Sequence, residues 1–124
     1  MNIFSSEKVF DHHNETIFVK DTPYQHSHIE KFLPDDLIEK VSENFSFPKE
    51  LGPSSDALFQ KTKRGLDDYK QFPESIKSFI DHLNSETFVK ILENKFKIPN
   101  LMPDPTLFGG GMHESRKGGY LKLH

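Results

Sequence analysis

Leu107 to His124 holds five of the chain's seven glycines and two of its seven histidines, His113 and His124. An imidazole can ligate a metal, carry a proton near neutral pH, or hydrogen-bond through either ring nitrogen. Glycine inside a strand pattern marks a bulge, a tight bend or a close approach to the backbone. After Gly119 a strand period puts Tyr120, Lys122 and His124 on one face and Leu121 and Leu123 on the other. No turn or cap follows His124. A strand stopping there leaves backbone donors and acceptors without partners, which predicts a domain that continues beyond this residue.

Other histidines offer weaker patterns. His26 and His28 share a face if Tyr24 to Ile29 is a strand, a spacing that suits two ligands on one metal, although no third ligand stands beside them and a hydrogen-bonded structural role is the plainer alternative. His12 and His13 fall in the polar run Asp11-His12-His13-Asn14-Glu15, expected to be a hairpin loop. A phosphate loop needs Gly-Lys followed by Ser or Thr and a helix, whereas Gly118-Gly119 runs into Tyr120-Leu121. A dinucleotide fingerprint fails in the same way, because Gly109-Gly110-Gly111 leads into the strand-like Met112-His113. Taken alone, the region reads as a glycine-punctuated β-turn with a histidine that merely packs.

The elements that must position these residues begin with strands. Lys8-Val9-Phe10 and Thr16-Ile17-Phe18-Val19 are short β-prone runs, so 1–31 is expected to be strand and hairpin. Three helices follow across 34–97. Pro34 opens the first, Asp35 and Asp36 suit its N-terminal dipole, and Leu37, Ile38, Val41 and Phe45 form its apolar face before Pro48. Pro73 opens the second, with Ile76, Phe79, Ile80 and Leu83 at helical spacing. Ser85 caps the third, whose Phe88, Ile91, Leu92 and Phe96 face the core before Pro99. Lys49 to Phe72 is polar and without sustained period, which predicts a solvated connection, with a lid or binding segment as the alternative. First core strands are expected over 106–124.

Composition narrows the function classes. The length of 124 residues suits one domain, but 34% hydrophobic content and a mean hydropathy of −0.65 fit part of a core better than a whole one, despite twelve phenylalanines. A net charge of −3 and a pI near 6.1 give no basic footprint, so no nucleic-acid partner is expected. The absence of cysteine excludes disulfides, zinc-thiolate sites and thiol nucleophiles. No apolar run reaches spanning length and no signal-peptide layout opens the chain, which predicts a cytoplasmic protein with no membrane partner.

Across most of its length the chain resembles the 2-oxoglutarate- and iron(II)-dependent oxygenases related to prolyl 4-hydroxylases. Pro23-Tyr24-Gln25-His26-Ser27-His28-Ile29-Glu30-Lys31-Phe32-Leu33-Pro34 is similar to that family's leading segment, in which a Pro-Phe-Pro-His strand and a Phe-Leu-Pro element reach the first helix. Met102-Pro103-Asp104-Pro105, then Gly109-Gly110-Gly111-Met112-His113, then Gly118-Gly119-Tyr120-Leu121-Lys122-Leu123-His124 resembles the family's Asp-Pro, its glycine cluster with a histidine, its Gly-Gly-x-Leu and the first residue of its His-x-Asp motif. Gln25 stands where the family has a second proline, and His28 where it has an apolar residue.

The resemblance implies an α+β fold: helices and first strands of a double-stranded β-helix, a jelly-roll related to cupins, with 1–124 forming an incomplete dioxygenase domain. It implies Fe(II) and 2-oxoglutarate, with ascorbate as a candidate auxiliary reductant, and hydroxylation coupled to release of succinate and carbon dioxide. Two ligands one residue apart project from the same strand face, so a rigid strand can present an imidazole and a carboxylate to one iron. Two histidines and a carboxylate leave positions open for a 2-oxo acid and dioxygen. By this resemblance His124 is the first iron ligand and His113 a cosubstrate-pocket or supporting residue. The aspartate, second histidine and 2-oxoglutarate-binding basic residue are expected downstream, so the 124 residues alone should not turn over. The substrate, whether protein, small molecule or carbohydrate, and the oligomeric state are not encoded in these motifs. A non-catalytic cupin-like metal or ligand-binding module and a helical interaction domain remain the rival classes.

Overall fold

In the computed structural model the described residues are 2–47, 55–57, 60–108 and 110–123, with 55–57 and 60–64 described by their backbone. The chain divides into two compact units, Met1–Phe45 with Pro73–Pro105, and Ser46–Phe72 with Thr106–His124. The fold is α+β, with helices in the first unit and an antiparallel sheet in the second. Among the described residues no helix is long and apolar enough to cross a membrane.

The helical unit opens with a 3-10 turn, Ile3–Ser5, followed by α1, Glu7–Thr16. This replaces the strand and hairpin expected over 1–31. Ser6 is extended at the N-cap and its hydroxyl accepts from Val9 N, while Glu7 supplies an acid to the first turn. Val9, His13 and Ile17, spaced by four, are all buried. The helical period therefore wins over the β-propensity of two short runs, and the polar cluster at 11–15 is helix interior. His12 and His13, expected in a loop, lie on α1. Tyr24 to Ile29 is not a strand either. A single antiparallel bridge pairs Lys20 with His26, and its two backbone hydrogen bonds of 2.8 and 2.9 Å close a turn rather than start a ladder.

The other three helices fall where their caps and periods put them. α2 is Asp35–Glu43, α3 Glu74–Leu83 and α4 Glu86–Phe96. Leu37 of α2 is buried and Val41 packs on the same cluster, but the helix stops before Phe45, which is exposed, as is Ile38. Ser85 accepts from Phe88 N at 3.2 Å and donates to His82 O at 2.7 Å, so one hydroxyl ends α3 and begins α4. Phe4, Val9, Leu33 and Leu37 form one buried cluster, and Ile17, Phe88 and Ile91 another. Phe32 packs against both. Each fully buried aliphatic or aromatic side chain contributes about 1.5–3 kcal/mol.

In the second unit β1, Ser55–Ala57, β2, Gln60–Leu66, and β3, Met112–Leu121, form an antiparallel sheet in the order β1-β2-β3. Strands thus occupy part of 49–72, expected to be a solvated connection; residues 49–54, 58 and 59 of that region lie outside the described residues. β2 becomes a strand by pairing its backbone with β3, so its sequence needs no alternating pattern. Core strands expected over 106–124 reduce to this one strand. It runs through Gly118-Gly119 without turning: Lys63 pairs with Ser115 and Lys61 with Tyr120, so Thr62 stands against four residues, 116–119. Gly118 has φ 85°, a conformation glycine adopts freely, and the pair marks a wide bulge. The strand ends at Leu121, so the face shared with Tyr120 does not carry to Lys122 by strand alternation.

Candidate functional site

His113 lies on β3 directly opposite Gly65 of β2. A Cβ on Gly65 would stand 3.0 Å from His113 Nδ1 and 3.2 Å from Cε1, so the imidazole lies over the space that the glycine leaves. The His113 side chain is otherwise exposed. Tyr120 is half exposed, and Lys122 Nζ sits 5.5 Å from its ring centroid, a cation–π contact on the surface. His124 lies outside the described residues.

His26 and His28 do not form a ligand pair. His26 Nδ1 is 2.7 Å from Tyr24 O, so it carries the proton and donates to that carbonyl, while His28 is exposed. Among the described residues no group of three or more histidine, cysteine, aspartate or glutamate side chains could hold a metal ion. The described residues by themselves therefore do not fit an iron centre.

The structure instead brings together two histidines that the sequence pattern passed over. His13 of α1 and His82 of α3 are both completely buried, and their Nε2 atoms are 2.8 Å apart. Phe32 stacks on His13 with ring centroids 4.3 Å apart, and Phe88 meets it edge-on at 5.3 Å. Phe10 lies 5.1 Å from the His82 ring. Ser5 Oγ is 3.2 Å from His82 Nδ1, whereas His13 Nδ1 is buried with no hydrogen-bond partner.

These contacts assign the protons. Two nitrogens 2.8 Å apart must share one hydrogen, so one imidazole donates and the other accepts. A buried N–H without an acceptor is rarer than a buried acceptor without a donor. His13 Nε2–H therefore donates to His82 Nε2, and His82 Nδ1–H donates to Ser5 Oγ. His13 Nδ1 is left as a bare lone pair. Burial, then the neighbouring His82 and His12 rings, push the His13 pKa down to about 4, and burial lowers that of His82. Both rings are neutral near pH 7. Their full burial keeps substrate away, so the pair is a polar tie inside the core.

One signal for the tie was present in the sequence. Val9, His13 and Ile17 recur every four residues, as apolar core positions do, once the histidine is allowed to count among them. His82, one residue before Leu83 and three after Phe79, had no such mark. No family model, no curated protein and no solved structure matches this chain.

Proposed function

We propose that the chain is the N-terminal part of a 2-oxoglutarate- and iron(II)-dependent dioxygenase that hydroxylates a protein, small-molecule or carbohydrate substrate with release of succinate and carbon dioxide. Its 124 residues contribute the helices and first strands of a double-stranded β-helix domain. His124 is the first iron ligand, and His113 supports the 2-oxoglutarate pocket. The carboxylate and second histidine belong to sequence after His124.

The supporting observation is β3. The histidine of the family-like glycine cluster and the Gly-Gly of the Gly-Gly-x-Leu element lie on one ten-residue strand, Met112–Leu121. That strand is at one end of the order β1-β2-β3. The bulge at Gly118-Gly119 re-aims the residues that follow it, a device common beside active sites. In chain order four helices come before this strand among the described residues, and α2, α3 and α4 are the three that the sequence leads one to expect.

Calorimetric titration with Mn(II), a redox-inert stand-in for Fe(II), and 2-oxoglutarate tests the assignment. The 124-residue chain should show no tight ternary site. The same chain with its natural continuation should bind 2-oxoglutarate only when Mn(II) is present, and His124→Ala should abolish that binding. Micromolar ternary binding by the 124 residues, or full binding by the His124→Ala variant, contradicts it.

A further inference from the structure

Besides the Phe4–Phe79 ring contact at 5.6 Å, the N-terminal segment is tied to α3 at two points. Asn2 Nδ2 donates to Ser78 O at 2.8 Å, and His13 donates to His82 across 2.8 Å within a wall of phenylalanine rings. Ser5, between them in sequence, accepts from His82 Nδ1 at 3.2 Å. The first tie is insensitive to pH. The second is made of two titratable rings, and both nitrogens of His82 and one of His13 are engaged. A proton arriving at this centre has one open lone pair to take, His13 Nδ1, which is buried and without a partner.

We propose that the His13–His82 contact is a proton-released latch: protonation of His13 at Nδ1 favours opening of α1, Glu7–Thr16, away from α3. No redox step or further ligand is involved; one proton is taken up and the imidazole becomes an imidazolium. Of the groups facing His13, only His82 Nε2, which already accepts from His13 Nε2–H at 2.8 Å, would favour that cation; no negative charge faces it and its Nδ1–H would have no acceptor. From α1 itself comes His12, its ring centroid 6.3 Å away and its Nε2 donating to Lys31 O. From α3 comes His82, from the 3-10 turn Ser5, from the segment before α2 Phe32, and from α4 Phe88. None is a carboxylate, and either titratable neighbour, once charged, would repel a positive charge. Stacking on Phe32 offers at most a weak cation–π attraction, on the order of 1–2 kcal/mol, against the larger cost of an unsolvated charge. Opening is the route by which the imidazolium reaches water.

The latch stands apart from the oxygenase assignment and is tested without iron. Native-state hydrogen exchange on the full chain, corrected for intrinsic rates, should show the opening equilibrium of α1 amides rising about 30-fold between about pH 7.5 and about pH 5. The double variant His13→Phe, His82→Leu should lose that rise. Ring-nitrogen NMR of the unaltered protein gives a reading that no substitution can spoil: His13 should stay neutral at about pH 6 and titrate only together with loss of α1 protection. Protection of α1 that does not change with pH, a rise that persists in the double variant, or a His13 ring that titrates at the ordinary histidine value with α1 intact would each overturn the proposal.

Discussion

A histidine spaced like a leucine is the residue-scale lesson. His13 occupies a core position between Val9 and Ile17, and it satisfies that position only while neutral, with His82 as acceptor. Its pKa is depressed on folding, so between about 6.5 and about 4 the unfolded chain binds more protons than the folded one. Stability from this group is therefore complete above the upper limit and is lost as pH falls toward the lower. The loss is roughly 3 kcal/mol at most for His13. Urea unfolding of the helical unit as a function of pH should show the midpoint falling below about pH 6.5, with no comparable loss on the alkaline side. At Gly111 the constraint is steric: φ is 131°, and an added Cβ would collide with Leu66 O. Gly111→Ala should destabilise the sheet unit by at least about 2 kcal/mol, measured as a lowered denaturant midpoint. Gly65→Ala meets only a flexible imidazole, and a smaller loss with a shifted His113 ring signal is expected.

Among the elements, three of the four helices in the described residues were legible because each carries its own start signal and period. Pro34, Pro73 and Ser85 stand at the N-caps of α2, α3 and α4, with Asp or Glu in each first turn. α1 has the same Ser-Glu start, Ser6-Glu7, as Ser85-Glu86 of α4, but a histidine interrupted its apolar stripe, so local β-propensity looked stronger than it is. β2 was illegible for a different reason. Gln-Lys-Thr-Lys-Arg-Gly-Leu has no alternation, and its strand state comes from pairing with β3, distant in sequence. The Gly118-Gly119 pair signalled irregular backbone correctly, but a bulge within one strand and a turn between two strands look alike in sequence. Ser85 is the element-scale test. Ser85→Ala removes both the cap on Phe88 N and the bond to His82 O, and should lower stability by about 1–2 kcal/mol in thermal or denaturant unfolding. Ser85→Asp should recover the part due to the cap.

For the whole molecule, the α+β class was legible from capped helices followed by a glycine-punctuated strand region. The division into two units was not, because Ser46–Phe72 leaves the helical sequence to join a strand some fifty residues later. The proposed site rests on a motif alone: His113 takes a strand position on β3, and His124, outside the described residues, is assigned by resemblance. Chemistry must decide that assignment. The direct measurement is succinate formation from 2-oxoglutarate, with Fe(II) and dioxygen, by the natural protein and by its His124→Ala and His113→Ala variants. Turnover is expected of the natural protein, none above background for His124→Ala, and a raised KM for 2-oxoglutarate in His113→Ala. Succinate formation by His124→Ala at the natural rate would contradict the assignment.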